Sequence, residues 1–446
     1  MAQSSGRVES VPPASFIAAG HRYQIANNKL GFDGGSVTMD YFIGSNTAGR
    51  TYIRERDGYL FELPVTWYAQ KQAWDASPGY EADTEVRLTR AVESTCLQCH
   101  SSRVRPVLGT QNRFGNPPFL ENGVACERCH GPGSEHAKNP AKIRMVNPVR
   151  LDPERRDAVC SQCHLTGEAR IERSGRKFVE YQAGDRLSEY ATYFVWKLGR
   201  RDLKVTSHVE KLAASACKTR SGDALWCGTC HDPHNNADKS PQACLGCHPA
   251  AHRQKERCAT CHMPRTRAVD ANHGVMTDHS IPRTQKSEQP PPEGTLVPFL
   301  GEGDDRALGL AYAELGDKRA REYLLRATPQ DWPVRLRLAV LEPDALRAAQ
   351  LYESVLRENP YETAALVNFG AHLARQGRTV EAGRLWDRAL AANPALEEAV
   401  LNLTQIRASK ESRILLQRYL QLNPISRKAR TRLAEIGTPR KQGKNP

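Results

Sequence analysis

The stretch GVACERCHGPGSEH, residues 123–136, packs two cysteines, two histidines and three glycines into fourteen positions. Two thiols spaced as Cys126 and Cys129 could form a redox dithiol or half of a zinc site. They could also make thioethers to the two vinyl groups of one haem, with His130 reaching the iron. The rest of the chain discriminates. C-x-x-C-H occurs six times, at Cys96/Cys99/His100, Cys126/Cys129/His130, Cys160/Cys163/His164, Cys227/Cys230/His231, Cys244/Cys247/His248 and Cys258/Cys261/His262, and uses twelve of the thirteen cysteines. A dithiol has no use for the histidine, and zinc needs none directly after every second cysteine. With 14 histidines in 446 residues, six chance coincidences have a probability on the order of one in a billion. The motifs therefore imply six haem c groups.

A low-spin haem iron takes a second axial ligand, usually histidine or methionine. The chain has five methionines, one of them Met1, so histidine is the better general candidate. Outside the motifs stand His21, His136, His208, His234, His252, His273, His279 and His372. His372 falls among helical repeats far downstream, which leaves seven histidines for six irons. His136 follows a motif after Gly-Pro-Gly, His234 lies in CHDPH and His252 in CHPAAH, while His273 and His279 lie in NHGVMTDHSIPR. A histidine so close to a motif cannot easily reach the far face of its own haem. Each is expected to ligate a different one and so tie the array together.

The elements that must position these groups fall into four segments. Residues 1–95 carry no motif; SVTMDYFI and RTYIRERDGYLFELPV are strand-like, with Asp57-Gly58 as a hairpin turn. A small β-containing lid is expected, with Trp67, Tyr68 and Trp74 either facing haems or filling an ordinary core. Residues 96–283 hold all six motifs, their first cysteines spaced by 30, 34, 67, 17 and 14 residues. Short helices and loops with little sheet are expected there, the porphyrins supplying much of the core. Residues 284–300 contain a polar, proline-rich linker. Residues 301–440 turn helical: ENP, ANP and LNP recur at 358–360, 392–394 and 422–424. Gly370, Gly377, Ala382, Ala389 and Pro394 sit where a tetratricopeptide repeat places small residues and its turn proline. The fold class expected is mainly α with many loops: a haem-packed domain, a small N-terminal β-containing region and a C-terminal repeat domain, separable at the linker.

The formal charge of +13 has a local explanation, since the propionates of six haems add about twelve negative charges; nucleic-acid binding is not expected. No apolar run approaches twenty residues, so no membrane span is expected. Haem is attached to C-x-x-C-H outside the cytoplasm, which argues for a periplasmic or extracellular location. MAQSSGRVES has no positive region followed by an apolar stretch, so the export signal is expected to have been removed or the start recast.

The stretches YFIGSNTAGRTYI, ELPVTWYA, SPGY, CERCHGPGSEH, VCSQCH, SACKTRSGDALWCGTCHDPH and CHMPRTRAVDANHGVMTDHSIPR resemble a family of exported multihaem cytochromes related to the tetrahaem electron carriers of nitrification, here fused to tetratricopeptide repeats. The resemblance implies bis-histidine haems and electron transfer. It implies His21, His136, His234, His252, His273 and His279 as distal ligands and leaves His208 spare. A cysteine is also expected at Cys217, ten residues before Cys227, where a buried apolar role is favoured.

Three functions remain open: an electron carrier between redox proteins, a subunit of an extracellular cytochrome filament or complex, and an oxidoreductase acting on a small nitrogen or sulfur compound. Catalysis needs an iron with an open position. Enough histidines exist to close all six, which favours the carrier, with no catalytic residue assigned. The repeats are expected to contact protein partners or mediate self-assembly.

Overall fold

The computed structural model describes residues 3–45, 47–80, 86–198, 202–235, 237–249, 258–271, 274–283 and 293–437. His252 and His273 lie outside the described residues.

The N-terminal region is antiparallel β. Ser5–Arg7, Tyr41–Ser45, Gly49–Arg56, Tyr59–Tyr68 and Arg90–Ala91 follow one another across a sheet, and Ala73–Ala76 also pairs with Tyr59–Tyr68. Ala14–Ala18, His21–Ala26, Lys29–Phe32 and Gly35–Thr38 form a four-stranded meander. The expected Asp57-Gly58 turn joins two strands, both residues with positive φ (54° and 83°), as a type I′ hairpin requires. Tyr23, Ile25, Leu30, Met39, Tyr52, Leu63 and Val65 make the core between the sheets. Trp67 and Trp74 are cross-strand partners that pack against this core, and Tyr68 donates its hydroxyl to Ala76 O at 2.8 Å. These aromatics thus serve an ordinary core.

The motifs ride on short helices: Ser94–Leu97, Glu127–His130, Pro153–His164, Cys227–Cys230, Ser240–Cys247 and Cys258–His262. Pro153–His164 is long because its start is well specified: Asp152 accepts from Arg155 N and Pro153 occupies the first turn. The segment also holds more sheet than expected. Ala169–Glu172 pairs with Ala191–Leu198, which pairs in turn with Glu293–Leu300. Residues 293–300, placed by the sequence in the linker, are therefore an edge strand. Pro298 is tolerated there because only one neighbour needs its hydrogen bonds.

Helical hairpins follow, from Asp305–Glu314 to Arg427–Gly437. Small residues sit at crossings as the repeat pattern requires. A Cβ on Gly370 would fall 2.4 Å from Trp386 Nε1, Ala382 and Ala389 are fully buried, and Gly377 turns at φ +80°. His372 is buried in the array, its Nε2 2.9 Å from Ala345 O. Separability is not what the packing displays. Ala169, Ile171, Phe194 and Leu296 of the three-stranded sheet share one core with Leu310, Tyr312, Leu324 and Val334 of the first repeats. At the other end, Tyr59 and Phe61 of the β region pack on Ala395.

Candidate haem-binding sites

None of the thirteen cysteines forms a disulfide. Within each motif the pair stands three residues apart, which puts both sulfurs on one side of a helical turn. The polypeptide does not enclose them evenly. Cys96, Cys126, Cys247 and Cys261 are exposed, and the other motif cysteines are half-buried. Cys261 lies in the helix Cys258–His262, whose five residues bury no side chain, so the polypeptide leaves this thiol open to solvent. Cys126 caps Glu127–His130, which likewise buries none. Helices of one turn have no second face to pack, and burial must come from what they hold.

Neighbouring motifs meet through their sulfurs: Cys99 hydrogen-bonds with Cys163, Cys160 with Cys227 and Cys244 with Cys258. Hydrogen bonds to Cys227 and Cys99, followed by burial, hold Cys160 and Cys163 above the usual thiol range. Among the described residues no group of three or more His, Cys, Asp or Glu is arranged to hold a metal ion.

The histidines carry the sharper signal. His130 Nδ1 lies 2.7 Å from Val146 O, His136 Nδ1 2.5 Å from Ile143 O, His262 Nδ1 3.0 Å from Pro282 O and His279 Nδ1 2.9 Å from Thr277 O. A carbonyl only accepts, so Nδ1 must donate in each case, and Nε2 keeps its lone pair for a metal.

Ring pairs add geometry. Two imidazoles trans on one iron, with metal–nitrogen bonds of about 2 Å, set their centroids about 6 Å apart. The His130 and His234 rings lie 5.8 Å apart at 9°, and those of His231 and His279 lie 6.1 Å apart at 37°. Each pair joins a motif histidine to an expected distal one. His234 comes from the segment after the fourth motif, and its ring faces that of the second motif's histidine.

His208, left spare by the sequence, stands in the middle of a cluster, edge-on to His164 at 5.1 Å and to His279 at 4.7 Å. Burial first, then His164, His279 and His231, push its pKa down to about 3. It opens the helix His208–Ala213 in TSHVE, where no motif spacing announces it. Burial likewise lowers His100 and His164. His248 is exposed just past Ser240–Cys247. His21 is half-buried at the start of its strand, opposite Ala18. Cys217 is half-buried and close enough to Cys244 that its charge would raise that thiol.

Several polar atoms around the motifs are buried without a hydrogen-bond partner: Gln98 Oε1, Arg128 Nε, Gln162 Oε1, Tyr181 Oη and His208 Nδ1. Such atoms each cost about 1–3 kcal/mol, and they crowd where the motifs do. Cysteines outside any disulfide, Nδ1-anchored imidazoles at trans-pair spacing and orphaned polar groups together fit haem c.

An arrangement of this kind defines a multihaem cytochrome. Residues 66–131 match the model of the family "Cytochrome c554 and c-prime". The chain is 25% identical over 174 residues to the multihaem cytochrome MtrA of Shewanella baltica (strain OS185), covering 34% of this chain and 52% of that protein. The chain thus spans about half the length of this curated relative. Among solved structures, a tetratricopeptide repeat protein from Parabacteroides merdae matches 30% of this chain and 57% of its own at 20% identity and TM-score 0.27. MamA matches 30% of this chain and 78% of its own at 15% identity and TM-score 0.23. The motif set, the family-model match and the MtrA relative support a multihaem cytochrome; the helical hairpins supply its repeat part.

Proposed function

We propose that the chain carries six covalently bound haems c and passes electrons along them between redox proteins outside the cytoplasm. The observation that carries this is the pairing of motif imidazoles with histidines from other segments at a spacing that fits one iron. Bound haem iron supplies a one-electron couple; the chain's residues fix its ligands and its neighbours. His130 and His234 would hold the iron of the second haem, and His231 and His279 that of the fourth. His208 lies edge-on to His164 at 5.1 Å, closer than that spacing, and stays outside the ligand set. His21, His136, His252 and His273 remain for the first, third, fifth and sixth.

Sulfur contacts between motifs support an order of transfer. The first haem neighbours the third, the third the fourth, and the fifth the sixth. The second joins the fourth segment through His234. Closed axial positions favour carrying over catalysis, because substrate chemistry needs an open one. Magnetic circular dichroism of the oxidised protein tests this. The expected spectrum is that of bis-imidazole low-spin iron throughout, and a stoichiometric high-spin haem in the native protein would favour the catalytic reading.

A further inference from the structure

Helices Ala345–Glu358, Thr379–Ala392 and Ser409–Leu422 each end on an asparagine, at Asn359, Asn393 and Asn423, followed by proline. These inter-repeat turns face the N-terminal half of the chain. The Tyr361 ring lies against Gly109. Gln111 N donates to Ala392 O at 3.1 Å, Tyr59 Oη to Ala391 O at 3.1 Å and Arg54 Nη1 to Leu422 O at 2.9 Å. Helix C-termini gather unpaired carbonyls and partial negative charge, so the buried Arg54 guanidinium is a fitting partner there.

The middle turn continues inward. Asn393, 3% exposed, donates Nδ2 to Gln111 Oε1 at 2.8 Å, and Gln111 donates Nε2 to Glu93 Oε1 at 2.7 Å. Glu93 is the residue before helix Ser94–Leu97, and its carbonyl accepts from Cys96 N at 3.1 Å and Leu97 N at 3.2 Å. Leu97 is fully buried, so a shift at Glu93 is passed to the helix rather than absorbed by it. Each amide in the relay uses its oxygen toward a donor and its nitrogen toward an acceptor, which fixes the direction of every bond.

We propose that Asn393 and Gln111 are positioning residues through which the repeat array orients the first haem-attachment helix and thereby sets the environment of that one haem. The proposal rests on the haem reading above. Neither residue is a motif cysteine or histidine, so their effect is indirect.

The test is a spectroelectrochemical titration of the full-length holoprotein, with attached haems counted by intact mass. Gln111→Leu removes both side-chain bonds. Gln111→Glu, should the first variant not fold, keeps the acceptor for Asn393 and sets a second carboxylate against Glu93. Tyr59→Phe removes one bond of the same interface outside the relay. The expected result is a displaced midpoint for about one sixth of the haem absorbance in either Gln111 variant and an unchanged titration in Tyr59→Phe. Unchanged midpoints in the Gln111 variants, or an equal displacement in Tyr59→Phe, would overturn the proposal. A wild-type mass lacking haem at Cys96 and Cys99 would overturn the haem reading and this inference with it.

Discussion

His234→Ala tests the ligand assignment most cleanly, because its turn is held by bonds the substitution leaves in place. Asp232 accepts from the main-chain N–H groups of His234 and Asn235 at 3.0 and 3.4 Å, and Lys239 lies 3.2 Å from its other oxygen. Those bonds, that from His234 N first, hold the Asp232 carboxyl at about 2, so the turn persists across any ordinary assay pH. The imidazole itself is exposed, so in the absence of haem its loss should change fold stability by no more than about 0.5 kcal/mol. The effect on iron is large by comparison. One haem in six should become high-spin, so about one sixth of the low-spin signal should convert. If the imidazole binds ferric iron ten- to a hundredfold more tightly than ferrous, that haem's potential should rise by about 60–120 mV, at 59 mV per tenfold for one electron. Axial-ligand effects span about 0.8 V, so the shift is well within the lever. Electron paramagnetic resonance with a potentiometric titration reads both, and intact mass should show all thioethers retained. An unchanged low-spin count would refute the pairing with His130; lost haem would mean that His234 serves attachment rather than ligation.

Three further outcomes follow from the packing. Burial, opposed by Arg90 3.4 Å away, raises Glu62 to about 7. Its unfolded pKa is near 4.5, so the folded state holds the extra proton between these values and stability should fall as pH rises from about 4.5 to about 7. The loss is roughly 3 kcal/mol at most, and Glu62→Gln should abolish that slope in pH-dependent thermal melts. Gly370→Leu should destabilise the repeats by at least about 1–3 kcal/mol through collision with the buried Trp386, whose Nε1 donates to Val367 O; circular dichroism melts should show it while haem content stays constant. A protease site inserted within residues 284–292 should yield fragments that co-elute on size exclusion, since residues 293–300 remain paired to Ala191–Leu198 and share its core. Fragments that separate would restore an independent repeat domain.

The haem reading rests on the sequence more than on the fold, because thioether attachment would impose a local spacing that survives any fold. The Asp57-Gly58 hairpin and the small residues at repeat crossings were legible for the same reason: each answers a local demand. What escaped depends on distant partners. TLVPFL followed a proline-rich run and held a proline itself, so its pairing with Ala191–Leu198 left no local mark. Trp67 and Trp74 could be told from haem-facing aromatics only by the strand register that sets them opposite each other. The spacing that marks Cys261 as an attachment site says nothing of its exposure, which depends on what the rest of the chain packs beside it. His208 lacks any motif spacing, and its place comes from a fold that gathers His164, His231 and His279 around it. The relay from Asn393 to Glu93 joins residues far apart in the chain and could not be read from it.

The central claim is covalent attachment at all six motifs, and intact mass spectrometry of the denatured protein measures it directly. The account predicts a polypeptide carrying six haem increments, with a matching haem-stained band on a denaturing gel. A mass equal to the unmodified 49.7 kDa chain, with zinc bound and no Soret band in the native sample, would contradict it.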